Sequence, residues 1–151
     1  MINLSRRSLL GGAMTIAVVV PAAAEVPQLE VWKQRACGCC KAWAKHFEAA
    51  GFSVMIHEVD DVTPTRRAAG VPDDLAGCHT ARSGGYVIEG HVPVQAVQRL
   101  LNERLPIAGL AVPGMPIGSP GMEMEGQPSE PFDVVAFDPG GRRYVFTAVG
   151  G

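Results

Sequence analysis

Beyond residue 25, short apolar runs and amphipathic stretches divide the chain into a readable series of elements. "LEVWKQ" (29–34) is a strand candidate, and "KAWAKHFEAAG" (41–51) carries Trp43, Phe47 and Ala50 at helical spacing, with Gly51 as the stop. "FSVMIHEVD" (52–60) follows at once as a second strand. A strand, a loop, a helix and a strand in that order predict parallel pairing through a right-handed crossover. "TPTRRAAGVP" (63–72) predicts a short helix ended by Gly70 and Pro72, and "GGYVIEGHVP" (84–93) a strand that runs out at a proline. "VQAVQRLLNERL" (94–105) reads as an amphipathic helix with Val94, Val97, Leu100, Leu101 and Leu105 on one side. Residues 106–131 have no period and many turn residues, which predicts a long ordered loop rich in Gly, Pro and Met. "FDVVAFDPGGRRYVFTAV" (132–149) is the strongest hairpin signal present, two strands about Asp-Pro-Gly-Gly.

Before this series, "MINLSRRSLLGGAMTIAVVVPAAA" has the build of an export signal: Arg6 and Arg7, an apolar run from Leu9 to Val20 too short to span a bilayer comfortably, then Ala22, Ala23 and Ala24. The "SRRSLL" pair is twin-arginine-like, with Leu9 where Phe is frequent; an ordinary Sec signal fits as well. Residues 1–24 are therefore expected to be removed, leaving 25–151 as a single periplasmic domain that would touch a membrane only if the signal stayed uncut. One core is what that length supports. Lys plus Arg number 13 against 15 Asp plus Glu, so no basic surface points to nucleic acid.

Composition matters most at cysteine. Three of the four lie in four positions, Cys37, Cys39 and Cys40 in "ACGCCKAW", and the fourth is Cys78 in "AGCHTAR". Two structural disulfides would be the usual reading in an oxidising compartment, but adjacent cysteines make it strained. The element order resembles the thioredoxin fold, α/β with a central mixed sheet flanked by helices, with Cys37 and Cys40 in the two cysteine positions of its C-x-x-C. There the thiols open a helix whose unpaired N–H groups and dipole favour a thiolate. That leaves Cys39 to explain. Cuprous ion is soft and prefers thiolate and thioether, so clustered sulfurs suit it. Because adjacent side chains diverge, one mononuclear centre is not expected to gather all three, and bridging thiolates around more than one cuprous ion would relieve the constraint. Zinc usually takes two separated C-x-x-C pairs, which are missing here.

The motifs "CGCCKAW", "GVPDDLAGCHTA", "GYVIEGHVP", "RLL" and "GLAVPGMPIGSPGME" together resemble the exported family long labelled a domain of unknown function, which includes the CopG-type proteins of bacterial copper-resistance operons. The resemblance covers essentially the whole chain after the signal. It implies a thioredoxin-like fold, copper bound through the C-x-C-C cysteines, and a part in periplasmic copper handling or redox chemistry alongside other such proteins.

Around these residues the assignment stays open. Cys78 is a fourth ligand, a resolving thiol or a small buried hydrophobe, and His79 a nitrogen ligand or an ordinary hydrogen-bonding loop residue. His91 reads as an anchor of the strand end, and His46 and His57 as packing or surface residues. Met115 and Met122, ahead of Met124, are thioether candidates that could equally anchor the loop. Trp32 and Trp43 flank the cysteines and are expected to shield them. Three functions follow: a copper-linked oxidoreductase, a passive copper chaperone, and a metal-free thiol–disulfide oxidoreductase with Cys37 and Cys40 as the exchanging pair. No Ser-centred hydrolytic motif competes.

Overall fold

The computed structural model describes residues 26–150, so the export signal expected over 1–24 lies outside the described residues. The chain forms β1 (Gln28–Gln34), α1 (Gly38–Ala49), β2 (Ser53–Val59), α2 (Thr63–Ala68), a 3-10 turn (Asp73–Leu75), β3 (His79–Ser83) and β4 (Tyr86–Gly90). It continues through α3 (Val94–Glu103), β5 (Gly109–Val112), β6 (Phe132–Phe137) and β7 (Arg143–Val149). All seven strands join one mixed sheet in the order β2-β1-β3-β4-β5-β6-β7. β1 and β2 pair in parallel, as do β4 and β5, and the remaining neighbours are antiparallel.

Alternation along the central strands sends side chains to two cores. Ile88, Leu110 and Ala136 face the larger one with Trp43 and Phe47 of α1 and Val97 and Leu100 of α3. Val87, Ala111 and Phe137 face the smaller one, closed by Val71 and Leu75 around the 3-10 turn. The predicted apolar side of α3 holds: Val94, Val97 and Leu100 are buried, and Leu101 and Leu105 pack half-buried against the same cluster.

Two strands depart from the sequence reading. The stretch after Cys78, over which the pattern of the sequence predicts no strand, is β3, in the middle of the sheet between β1 and β4. Its "HTARS" lacks an apolar alternation because Ala81 is its one buried apolar position; His79, Thr80 and Ser83 are buried and polar, and Thr80 and Ser83 are satisfied by Glu89 and the Gln28 carbonyl. The expected long loop also begins later than residue 106, since "GLAV" forms β5 with all four residues buried. A four-residue strand covered on both faces leaves no period to detect. The loop proper runs over 113–131. After it, β6 and β7 pair about a turn in which Gly141 N–H donates to the Asp138 carbonyl, 3.1 Å.

Leu100 is fully buried whereas Met55 on the edge strand β2 is 60 % exposed. Leu100→Ala should therefore cost about 2–5 kcal/mol, read from the urea midpoint, and Met55→Ala should stay within about 0.5 kcal/mol of the parent.

Candidate metal centre

α1 begins at Gly38, three residues earlier than its periodicity suggests, so Cys37 is its N-cap and Cys39 and Cys40 lie in its first turn. Cys37 makes no side-chain capping bond. The first-turn N–H groups lack partners within the helix and, with the helix dipole, make this end of α1 electropositive. Cys78 enters from the opposite side, one residue before β3.

The four sulfurs form a closed ring. Cys37 and Cys40 are joined in a disulfide, and Cys39 and Cys78 are free thiols. Cys39 Sγ is 3.5 Å from Cys37 Sγ, Cys78 Sγ is 3.5 Å from Cys40 Sγ, and Cys39 and Cys78 are 4.0 Å apart. All four lie within 4.8 Å of one another. The divergence expected of neighbouring cysteines therefore does not keep the sulfurs apart. Winding the chain into a helix turns Cys37 and Cys40 onto one side, three residues apart, and Cys39 at the rim reaches the same space from the N-terminal end.

Two imidazoles adjoin the ring. His91 Nε2 is 2.9 Å from Cys78 Sγ, and its Nδ1 is 2.7 Å from the Pro120 carbonyl oxygen. A carbonyl only accepts, so Nδ1 carries the hydrogen and Nε2 turns a lone pair toward the sulfur. His79 Nδ1 is 3.2 Å from the same sulfur, while its Nε2 is buried with no hydrogen-bond partner. Buried polar atoms without a partner are rare. Cys78, His79 and His91 thus form a second cluster that shares Cys78 with the first. Below them the fully buried Trp43 donates from its indole N–H to the Val92 carbonyl, 2.9 Å, and packs its ring 4.2 Å from that of His79.

Burial sets the protonation of the site. It pushes the Cys78 thiol up to about 12, with the nearby Cys39 sulfur adding to the shift. Burial likewise holds His79 down to about 3, helped by His91 and Arg66, and lowers His91 against the opposing pull of the Pro120 carbonyl. Without a metal, the site is a neutral thiol between two neutral imidazoles. Imidazole nitrogen and sulfur donors in this number match what a soft transition ion accepts, and a bound cation would favour the thiolate that burial disfavours.

The loop after β5 roofs the ring. Gly121, at φ 85°, sits where a Cβ would come within 2.6 Å of the Cys39 carbonyl oxygen and of the Trp43 nitrogen. Glu123 reaches His46 Nε2 at 2.9 Å. Met122 follows Gly121 directly and is half-buried, whereas Met115 is 53 % exposed. Among the described residues neither methionine sulfur is hydrogen-bonded to a cysteine. Of the two tryptophans expected to shield the site, only Trp43 does so. Trp32 stacks on His57 of the neighbouring strand, ring centroids 5.1 Å apart, where His57 also meets Glu30 at 2.8 Å. His91 is the residue that sequence reasoning undervalued. It does tie down the strand end, as read, but the same ring also faces Cys78, and the signal was its place just past a strand ending in Gly90.

Fold and donor set together define an α/β protein with a sulfur- and imidazole-lined candidate metal centre. Two solved structures share that fold. This chain is similar to "Copper resistance protein copG- Form 2" at 40% identity over 83% of this chain and 100% of that one, with a TM-score of 0.79. The values for "Copper resistance protein copG- Form 1" are 41%, 84%, 100% and 0.79. Residues 75–122, which run from the approach to Cys78 through the loop over α1, match the family described as "Protein of unknown function, DUF411". No curated protein matches the chain. The chain belongs to the CopG-like family of copper resistance proteins. Among the described residues no helix is long and apolar enough to cross a membrane.

His79 gives the apo centre a pH signature. The unfolded chain protonates this imidazole near its ordinary 6.5, whereas the folded chain resists until about 3, so the unfolded state binds the extra proton across that window. The stability is complete above 6.5 and is lost as pH falls toward 3. The urea midpoint of metal-free protein should drop over that range, and His79→Phe should flatten the drop, leaving the part due to His91.

Proposed function

We propose that this protein holds cuprous ions, more than one per chain, at Cys37, Cys39, Cys40 and Cys78, with His91 and His79 supplying nitrogen donors, and that it serves copper tolerance in the periplasm. The observation that carries this reading is the ring of four sulfurs closed by an imidazole lone pair 2.9 Å from Cys78 Sγ. Membership in the CopG-like family supports copper over other soft metals. Zinc would be served by a closed tetrahedron of four ligands, and this donor set exceeds four. Met122, on the loop over α1, is the better placed of the two thioether candidates; Met115 is too exposed to rank with it.

The proposal includes redox chemistry. Bound copper would supply a soft acceptor for thiolates and a one-electron couple between its cuprous and cupric states. The chain's own part is to gate its donors: with Cys37 and Cys40 joined, two sulfurs are withheld, and a two-electron thiol reductant returns them as thiols. The order β2-β1-β3-β4 with a cysteine-capped helix after β1 supports the thioredoxin-like assignment, and "SRRSLL" followed by the apolar run supports export by the twin-arginine or the Sec route over 1–24. A passive chaperone would use the same donors without turnover.

The second reading, a metal-free thiol–disulfide oxidoreductase, is favoured by the Cys37–Cys40 disulfide with the free Cys78 sulfur 3.5 Å from Cys40. Cys39 separates the two. Anaerobically reduced protein titrated against a competing cuprous chelator should retain more than one copper per chain, and Cys39→Ser should retain fewer. No tight copper in either form, together with disulfide exchange that persists in chelator and in Cys39→Ser, would establish the second reading instead.

A further inference from the structure

α2 is a six-residue helix that buries none of its own residues, so apolar packing does not account for it. What it delivers to the interior is Arg66, whose side chain is 13 % exposed and meets the fully buried Glu89 of β4 at 2.6 Å. Both partners hold more than each other. Glu89 Oε1 also accepts from Gly77 N–H at 2.8 Å, and its Oε2 accepts from the Thr80 hydroxyl at 2.7 Å. Arg66 donates a second hydrogen bond, from a terminal nitrogen to the Gly77 carbonyl oxygen at 2.6 Å. The N–H and the C=O of the residue just before Cys78 are therefore both gripped by one ion pair, and Thr80, two residues after Cys78, is held by the same carboxylate.

Buried ion pairs contribute little net stability compared with apolar side chains of the same volume, because desolvation offsets their attraction. Their value lies in fixing geometry, and here the geometry fixed is that of Gly77, Cys78 and Thr80. We propose that Arg66 and Glu89 are positioning residues for Cys78: the pair locks the peptide units around it so that its sulfur sits in contact with Cys40, Cys39 and His91 at once. Without the grip, the segment before β3 keeps its strand pairing further on but no longer fixes the direction of the Cys78 side chain. This inference deepens the copper reading, since it concerns the same sulfur. Its test contains no copper, so the two can fail separately.

In the full chain carrying Cys37→Ser and Cys39→Ser, only Cys40 and Cys78 can pair. The rate of Cys40–Cys78 disulfide formation on adding diamide, read by mass spectrometry after alkylation, then reports how well Cys78 is aimed. Arg66→Met should slow it by about ten-fold, in keeping with the sensitivity of proximity effects to small misplacements. Arg66→Lys keeps the charge but cannot form the guanidinium fork, so it should also slow pairing. The paired change Arg66→Met with Glu89→Gln removes the buried charges together, while the amide keeps an acceptor for Gly77 N–H and a partner for the Thr80 hydroxyl. It should leave the thermal midpoint near that of its parent while pairing stays slow. An unchanged pairing rate in Arg66→Lys or in the folded uncharged pair overturns the inference. So does a rate that falls only in variants whose thermal midpoint falls with it.

Discussion

The candidate centre depends on one close backbone approach. Gly77 and Gly90 pass so near each other that a Cβ at Gly77 would come within 2.6 Å of Gly90 Cα, and one at Gly90 within 2.5 Å of the Val112 carbonyl oxygen. Gly90 also takes a φ of 70°, which side-chain-bearing residues rarely adopt. The residue after each glycine is a site residue, Cys78 after one and His91 after the other. Bringing the two backbones into contact is what places sulfur and imidazole at hydrogen-bonding distance, and neither glycine has a substitute that leaves the approach intact.

Around that contact, burial and polarity work against each other in a way that suits a metal more than a proton. Trp43 and the roofing loop exclude water, which keeps both histidines neutral and Cys78 protonated. A cation among these donors would relieve several burial costs together, giving the thiolate a counter-charge and His79 Nε2 a partner. The disulfide between Cys37 and Cys40 leaves Cys39 and Cys78 as the two free sulfurs of the ring, and under the proposed function its reduction would return the other two as donors.

Much of the architecture was legible in the sequence. Period and punctuation located β1, α1, β2, α2, β4, α3 and the last two strands, and the spacing of Cys37, Cys39 and Cys40 pointed to the ring. β3 and β5 were not legible, for different reasons. Thr80 and Ser83 make β3 look like a turn, and only the distant partners Glu89 and the Gln28 carbonyl explain polar side chains at the centre of a sheet. In β5 the four buried residues are too few to show any period. His91 and the Arg66–Glu89 pair escaped for a third reason. Their roles come from contacts between residues 9 to 29 positions apart, such as Thr80 with Glu89 and His91 with Pro120, and local pattern does not encode these pairings.

The hydrogen on His91 Nδ1 is held by a main-chain oxygen, that of Pro120, rather than by a side chain. Metal-binding histidines are commonly oriented by a carboxylate or a carbonyl, and the two differ in how they can be altered. A carboxylate can be exchanged by one codon, whereas a peptide oxygen moves only if the path of the chain moves. The basicity of the His91 lone pair is thus written into the course of residues 113–131 across α1, and tuning it would require reshaping that loop, by insertion, deletion or loss of the Gly121 contact, not replacing a ligand.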